Sequence, residues 1–249
     1  MKYQHPRYLF RKFLIMRIVK PQNSFLEIGP GDLDLAMNII NKFNNGTVID
    51  FNSIETQKKY INLPENIQRR LTLIIADFMK YDLKNRKFNC IISCDVMEHI
   101  ENDDNFINRI HNLLMDNGQL ILSVPARKKY WAYDDELVGH YRRYEKDEIK
   151  TILENSGFSK IKIYSYGYPF TNIIRYFRIK FAKNKYQEKS NGSKRKRSQR
   201  SAFLVNKETN FKFLALIINK YTLFPFILFS LIFNNLNLGE GYIIAAQKE

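Results

Sequence analysis

The sequence predicts an α/β protein built on a doubly wound, mostly parallel sheet. Between residues 25 and 125, short apolar runs alternate with segments of helical periodicity, which is typical of successive βαβ units. These runs do not alternate with polar residues, as expected for strands that are buried on both faces. The first run leads through Phe25-Leu-Glu-Ile-Gly-Pro-Gly31 into a helical pattern, so a tight glycine turn joins strand and helix.

Apolar or alternating runs bounded by turn residues predict seven strands. They are Phe25–Ile28, Thr47–Asp50, Leu71–Ala76, Phe88–Ser93, Gln119–Val124, Ser159–Tyr166 and Gly241–Gln247. Apolar residues at helical spacing predict four helices. They are 7–20, which Pro21 ends, 33–43, 104–114, which Asn117-Gly118 stops, and 146–155, which Gly157 stops. The polar and aromatic stretch 127–144 is predicted to be a long loop.

The composition indicates one globular domain, with room for a sizeable insertion, in 249 residues. The two cysteines, Cys90 and Cys94, lie four residues apart in one apolar run and form neither a disulfide framework nor a zinc-binding pattern. No metal site is predicted. The apolar stretch 13–19 is broken by Arg17, which is unlike a secretory signal. A reduced, cytoplasmic protein is therefore expected.

Most of the formal charge of +15 comes from one segment. Residues 175–200 hold eleven Lys or Arg and a single acid, Glu188, with a peak at Lys194–Arg197. An apolar stretch over 211–233 follows, but its uninterrupted part, 221–233, is too short to span a bilayer. Such a segment attracts phosphates of nucleic acid or of an anionic membrane.

One core with an insertion is predicted from this pattern. Residues 1–166 with 241–249 form the core, and 167–240 form an inserted helical lid with a basic loop. The lid is expected to rest peripherally on the inner face of an anionic membrane, to cover the active site and to bring it to a lipid-linked or amphiphilic acceptor. A substrate-capping lid with a merely solvated basic loop is the alternative.

Three acids lie at the ends of predicted strands, namely Asp50, Asp77 and Asp95. Ligands of doubly wound sheets bind at the carboxyl ends of the strands, which is where these acids and the turn at Gly29 and Gly31 fall. A carboxylate at the end of the second strand suits a ribose diol, because it accepts two hydroxyl hydrogen bonds. The pattern predicts a nucleotide-like cofactor.

The motifs together resemble the class I S-adenosylmethionine-dependent methyltransferases. The resemblance covers about residues 20–166 and the last strand. The stretches that carry it are Leu26-Glu-Ile-Gly-Pro-Gly31, Val48-Ile-Asp50, Ala76-Asp-Phe78, Phe88–His99 and Leu113–Pro125. It implies a seven-stranded, Rossmann-like methyltransferase fold with the last strand antiparallel. Leu33 stands where the family often has a third glycine.

The resemblance also implies S-adenosylmethionine as cofactor and assigns residues to it. Glu27, Gly29 and Gly31 would line its methionine end. Asp50 would hold the ribose with Phe51 beside the adenine, and Asp77 would accept from the adenine amine with Phe78 packed nearby. Cys94 and Asp95 would edge the cofactor and face the substrate.

The acceptor side is predicted from the segment Gly139-His-Tyr-Arg-Arg-Tyr144, which resembles one in methyltransferases of glycan and lipid pathways. His140 is the candidate base, with a structural histidine as the alternative. Arg142 and Arg143 would clamp an anionic substrate, or else pair with acids of 134–136. Tyr130, Trp131 and Tyr133 would form a substrate wall, or only pack the loop.

We therefore expect methyl transfer to oxygen, or less readily nitrogen or carbon, of a small, sugar-linked or lipid-linked acceptor. RNA is the alternative acceptor, although Cys94-Asp-Val-Met stands where base-modifying relatives carry an Asn/Asp-Pro-Pro-Tyr type motif. A non-catalytic cofactor-binding subunit is a further alternative. A nicotinamide dehydrogenase would need the missing third glycine.

Overall fold

A computed structural model describes residues 5–51, 54–186 and 219–249. It contains one seven-stranded sheet in the order β3-β2-β1-β4-β5-β7-β6. The strands are β1 Gln22–Ile28, β2 Phe43–Asp50, β3 Leu71–Ile75, β4 Phe88–Cys94, β5 Leu114–Pro125, β6 Phe158–Tyr166 and β7 Gly241–Lys248. All seven predicted strands are confirmed, although β1, β2 and β5 begin several residues earlier than predicted.

The described residues form the following α-helices: α1 Pro6–Ile18, α2 Asp34–Ile39, α3 Ile54–Ile61, α4 Glu65–Gln68, α5 Asp103–Leu113, α6 Tyr133–Val138, α7 Lys146–Asn155, α8 Phe170–Tyr186 and α9 Lys220–Ser230. Short 3₁₀ turns cover Ile40–Lys42, Met97–His99, Lys128–Tyr130 and Leu231–Phe233. The prediction of an unbroken loop over 127–144 is wrong, because α6 forms there. Its third residue, Asp135, accepts a hydrogen bond from the backbone N–H of Ala132 at 2.9 Å and so begins the helix.

The sheet is parallel from β3 to β5. Strand β1 pairs with β2 on one side and β4 on the other, and β2–β3 and β4–β5 are also parallel. The β6 and β7 strands run in opposite directions. Lys160 near the start of β6 donates to Gln247 near the end of β7 at 2.8 Å, and Ser165 near the end of β6 accepts from the Gly239 N–H just before β7 at 2.7 Å. This confirms the predicted mostly parallel fold.

The core of the sheet is built on β1. Phe25 is fully buried, and its ring lies 4.9 Å from the ring of Phe43 on β2. Gly46 of β2 leaves room for the Phe25 ring, because a Cβ at this position would overlap it. Burying a side chain of this kind stabilises the fold by about 1.5–3 kcal/mol.

The chain divides into two compact units. Unit 2 comprises Ile15–Ser123, Asp147–Lys162 and Ile244–Glu249, and it holds most of the sheet with α2 to α5. Unit 1 comprises Met1–Leu14, Val124–Lys146 and Ile163–Ile243, and it holds α6, α8 and α9. The predicted domain boundaries at 166 and 241 stay a prediction.

The predicted insertion is partly described. It forms α8 and α9, whereas the peak of the basic run at 194–197 and the beginning of the apolar stretch at 211 lie outside the described residues. Among the residues that are described, no helix is both long and apolar enough to cross a bilayer.

Candidate functional site

The candidate cofactor site lies in unit 2, at the carboxyl ends of three adjacent strands. Ile28 is the last residue of β1, and it is level with Ile49 of β2 and with Ser93 of β4. The residue after each of these three is Gly29, Asp50 or Cys94, respectively. Parallel pairing in this register therefore brings the predicted glycine turn and two predicted cofactor residues to one edge of the sheet.

The turn after β1 has the backbone shape that its two glycines permit. Gly29 has φ +69° and Gly31 φ +54°, in the left-handed region that glycine adopts readily. A Cβ on Gly29 would lie 2.6 Å from the side chain of Val96, so this position needs glycine for packing. A Cβ on Gly31 would meet no protein atom within 4 Å. The turn is thus open to a ligand at Gly31.

Asp50 is oriented by a residue on the following helix. The hydroxyl of Thr56 lies 2.7 Å from Asp50 Oδ2 and 2.9 Å from the carbonyl oxygen of Gly31. Both of these atoms are acceptors, so the single hydroxyl hydrogen is shared between them. Thr56 is only 2% exposed. It therefore couples the carboxylate at the end of β2 to the turn that ends β1.

The two further strand-end acids are also held by backbone contacts. Asp77 follows β3, and its Oδ1 accepts from the Met79 N–H at 3.0 Å, which fixes a turn. Asp95 follows β4 with φ +55°. Its N–H donates to the carbonyl of Ser123 on β5 at 2.9 Å, and the Ser123 hydroxyl donates to Asp95 Oδ1 at 3.3 Å. Both acids belong to this end of the sheet, as predicted.

The other predicted cofactor residues differ in accessibility. Glu27 is 3% exposed within β1, whereas Phe51 is 40% exposed directly after Asp50. Cys94 is half-buried and is not part of a disulfide. Phe78 is 6% exposed, with its ring 5.5 Å from the Phe106 ring and under the Arg109 guanidinium at 5.1 Å. The Phe78 ring therefore packs into the core behind Asp77.

Leu33, which stands where the family often has a third glycine, adopts a left-handed backbone conformation. Its φ is +61°, and it immediately precedes α2. A left-handed conformation costs an L-residue with a Cβ about 1–2 kcal/mol. The Leu33 side chain is fully buried, so apolar burial offsets this cost.

In unit 1, the predicted base His140 pairs with Asp135. Gly139, at φ +83°, ends α6 and turns the chain back toward that helix. His140 Nδ1 then lies 2.8 Å from Asp135 Oδ1, and the backbone N–H of His140 donates to the backbone carbonyl of Asp135 at 2.9 Å. His140 is 7% and Asp135 1% exposed. Since an ionised carboxylate only accepts, Nδ1 of His140 carries a proton and donates the hydrogen bond to Asp135.

Asp135 is ionised because two arginines surround it. Arg143 donates from Nε at 2.9 Å and approaches Oδ1 with a second nitrogen at 2.7 Å, while Arg175 donates to Oδ2 at 3.0 Å. Burial by itself would raise the pKa of Asp135, but the hydrogen bonds from His140 and Arg143 and the charge of Arg143 outweigh it. These contacts hold the pKa of the Asp135 carboxyl well below its usual range.

This network answers one question that the sequence left open. Arg143 is 3% exposed and committed to Asp135, so of the two roles considered for it the structure shows pairing with an acid. Burial lowers the pKa of its guanidinium from the ordinary value, and the contacts with Asp135 oppose this. Arg175 binds Asp134 through two nitrogens at 2.7 and 3.1 Å, which extends the network to α8.

The remaining predicted substrate residues lie in the same segment. The Tyr130 hydroxyl donates to the Leu238 carbonyl at 3.1 Å and accepts from Asn172 at 3.1 Å, so it ties the segment to neighbouring chain. Trp131 is 38% exposed. Tyr133 and Arg142 are half-buried.

Sequence reasoning missed two residues that organise these sites, Thr56 and Arg175. Asp135 was predicted only as one of three acids that could pair with Arg142 and Arg143. Thr56 and Arg175 become functional candidates only through tertiary contacts, which no local pattern encodes.

Several solved structures share this fold. Phosphoethanolamine N-methyltransferase 2 of Haemonchus contortus, solved with phosphomonomethylethanolamine and S-adenosylhomocysteine, has a TM-score of 0.61 at 17% identity, over 96% of this chain and 52% of its own. The [4+2]-cyclase SpnF has a TM-score of 0.58 at 14% identity, over 98% of this chain and 80% of its own. YcgJ of Bacillus subtilis has a TM-score of 0.57 at 9% identity, over 98% of this chain and 99% of its own. These likenesses show the fold and leave the chemistry to the site.

A curated relative and a family model give the sequence evidence. N-methyltransferase 4 of Papaver somniferum is 28% identical over 136 residues, which are 53% of this chain and 36% of that protein. The match thus spans well under two thirds of this relative's length. The family model described as a methyltransferase domain matches residues 2–163. This confirms the predicted S-adenosylmethionine-dependent methyltransferase class, and the chain belongs to the methyltransferase domain family.

Proposed function

We propose that this protein transfers a methyl group from S-adenosylmethionine to a nitrogen or oxygen atom of a small or sugar- or lipid-linked acceptor. The observation that carries the proposal is the contact of Thr56 with both Asp50 and Gly31, at 2.7 and 2.9 Å. It joins a strand-end carboxylate to a glycine turn that is open to a ligand. These are the two elements that an adenosyl cofactor requires at the end of a parallel sheet.

The residues at this end of the sheet fit the cofactor. Asp50 would accept from the ribose hydroxyls, and the open space at Gly31 would take its amino-acid part without steric conflict. The half-exposed Phe51 ring would lie against the adenine, and Asp77 would accept from its amine. When bound, the cofactor supplies a methyl group already activated by a sulfonium, so the protein contributes mainly alignment.

His140 is the proposed base for the acceptor. An amine or hydroxyl acceptor must lose a proton when it is methylated, and the Nε2 of a neutral imidazole accepts one. Asp135 would stabilise the imidazolium that forms, because its carboxylate binds Nδ1 at 2.8 Å. The name of the curated relative, an N-methyltransferase, supports nitrogen as the attacking atom. From the sequence alone, oxygen is expected before nitrogen.

Calorimetric titration with S-adenosylhomocysteine tests the cofactor site. We expect micromolar binding by the wild type, a loss of about 10- to 100-fold in affinity for Asp50→Ala, and no change for Asp116→Ala. Asp116 is a matched control because its side chain is 84% exposed. Folded protein that does not bind would overturn the proposal. Transfer of labelled methyl groups to amine, hydroxyl and tRNA acceptors then identifies the acceptor class.

A further inference from the structure

The helix α9 and the turn that follows it are strongly apolar yet exposed. No charged residue occurs between Tyr221 and Phe233. Exposed fractions of 41–71% are found for the side chains of Tyr221, Phe224, Phe226, Leu228, Phe229 and Ile232. A cluster of exposed large apolar side chains on a water-soluble surface marks an interaction site.

Aromatic contacts pack α9 against α1 and α8 but do not cover its outer side chains. Phe224 packs on Phe13 of α1 with ring centroids 6.0 Å apart. Phe226 and Phe229 pack on Phe170 of α8 at 4.7 and 5.9 Å. Tyr221 and Ile232 have no part in these ring contacts and are 68% and 71% exposed. The ring contacts account for the positions of Phe224, Phe226 and Phe229 but not for the exposed side chains of Tyr221 and Ile232.

Basic residues accompany this apolar helix. Lys220 is its first residue, with its ammonium 4.9 Å above the Tyr221 ring. On α1, Arg11 and Lys12 flank the Tyr8 ring at 5.6 and 5.9 Å. The sequence from 180 to 200 holds nine further Lys or Arg and one acid. A partner that binds here must therefore be apolar and carry negative charge.

We propose that α9 and the turn after it, Tyr221–Phe233, insert into the headgroup region of an anionic membrane. A helix of 11 residues is about 16 Å long and cannot span the roughly 30 Å hydrocarbon layer, so it lies along the surface. Adjacent cations add attraction to anionic lipids. A second copy of the chain fits less well, because each copy carries a formal charge of +15.

Such a membrane would present an amphiphilic acceptor to the enzyme, and this role of the membrane rests on the proposed methyl transfer. Membrane binding itself is independent of methyl transfer, because it depends only on the surface of α9 and the turn after it. The two failures are distinguishable, since S-adenosylhomocysteine binding reports on Asp50 and Gly31 in unit 2, and vesicle binding reports on Ile232 in unit 1.

Vesicle co-sedimentation of the full chain tests the inference. The probes are phosphatidylcholine vesicles with and without about 30% phosphatidylglycerol, at low and at raised salt. We expect the wild type to sediment with the anionic vesicles only, and to be released by salt. Ile232→Asp should lower the bound fraction by at least about five-fold, because it places a charge at the inserted surface.

Ile61→Asp is the matched control. Ile61 is also 71% exposed, but it lies at the end of α3 in unit 2. It should bind vesicles like the wild type, and both variants should still bind S-adenosylhomocysteine. Equal vesicle binding by the two variants would overturn the inference, as would no sedimentation of the wild type. So would self-association or tRNA binding that Ile232→Asp abolishes in the absence of vesicles.

Discussion

Nδ1 of His140 lies 2.8 Å from Oδ1 of Asp135, and the same carboxylate accepts from Arg143 and Arg175. All four side chains are buried. This arrangement fixes the tautomer of the imidazole and surrounds one carboxylate with two permanent cations. Asp135 and His140 are close in the sequence, because Asp135 lies in the first turn of α6 and His140 follows the glycine that ends this helix.

The role of His140 is tested by His140→Gln. If Nε2 is the base, we expect a fall in kcat of about 10²- to 10⁴-fold with S-adenosylhomocysteine affinity unchanged. The matched control is His111→Gln, at the end of α5 in unit 2, which should keep wild-type kcat. A full-activity His140→Gln enzyme would leave His140 with a structural role only.

Asp135→Asn should destabilise the protein by about 3–5 kcal/mol, because it leaves the buried Arg143 guanidinium without its counter-charge, whereas Arg175 keeps its bonds to Asp134. Denaturant unfolding at pH 7 measures this. Glu65→Gln is the control, since Glu65 and Arg69 form an exposed pair with side chains 77% and 75% exposed, and should change stability by under about 0.5 kcal/mol.

The pKa of Asp135 gives this variant a pH signature. The folded-state pKa lies below that of the unfolded chain, so the stabilising charge is fully present above about pH 4 and is lost as pH falls further. The difference in stability between wild type and Asp135→Asn should therefore narrow in acid. A difference that stays constant from pH 6 to about pH 3 contradicts the ion-pair account.

Thr56→Val tests how the cofactor carboxylate is oriented. The variant keeps the side-chain shape but removes the hydroxyl that contacts Asp50 and Gly31. We expect S-adenosylhomocysteine affinity to fall by about 5- to 15-fold, in line with one hydrogen bond. Thr151→Val, at an exposed helix position where the hydroxyl contacts only its own helix, should leave the affinity unchanged.

Most of the fold could be predicted from the sequence, because its strands are short apolar runs that local pattern identifies. The acids Asp50, Asp77 and Asp95 were predicted for the same reason, since each lies at or just after the end of a strand. Local pattern fails where tertiary contacts decide. The Thr56 hydroxyl contacts both Asp50 and Gly31, and Arg175 binds Asp134, which lies 41 residues away in the sequence.

Leu33 provides a test of backbone strain. At an ordinary helical position, alanine is more stabilising than glycine, but at φ +61° the order should reverse. We expect Leu33→Gly to be more stable than Leu33→Ala by about 1 kcal/mol, with both less stable than wild type because a fully buried leucine is lost. Thermal unfolding of the three proteins measures the order. Leu33→Ala as the more stable variant would mean that the left-handed conformation is not retained.

Because of His5, the free energy of unfolding should fall as the pH is lowered from neutrality. Burial, followed by the charges of Arg178, Arg7 and Arg11, lowers its pKa to about 3. The folded protein therefore keeps His5 neutral, whereas the unfolded chain takes up a proton near pH 6.5. Stability from this residue is complete above about pH 6.5 and is lost as pH falls toward 3, because the unfolded state then binds more protons. We expect the unfolding free energy of the wild type to decline more steeply between pH 7 and pH 4.5 than that of His5→Gln, in denaturant titrations at matched ionic strength. Parallel curves for the two proteins would show that His5 is solvated and titrates normally.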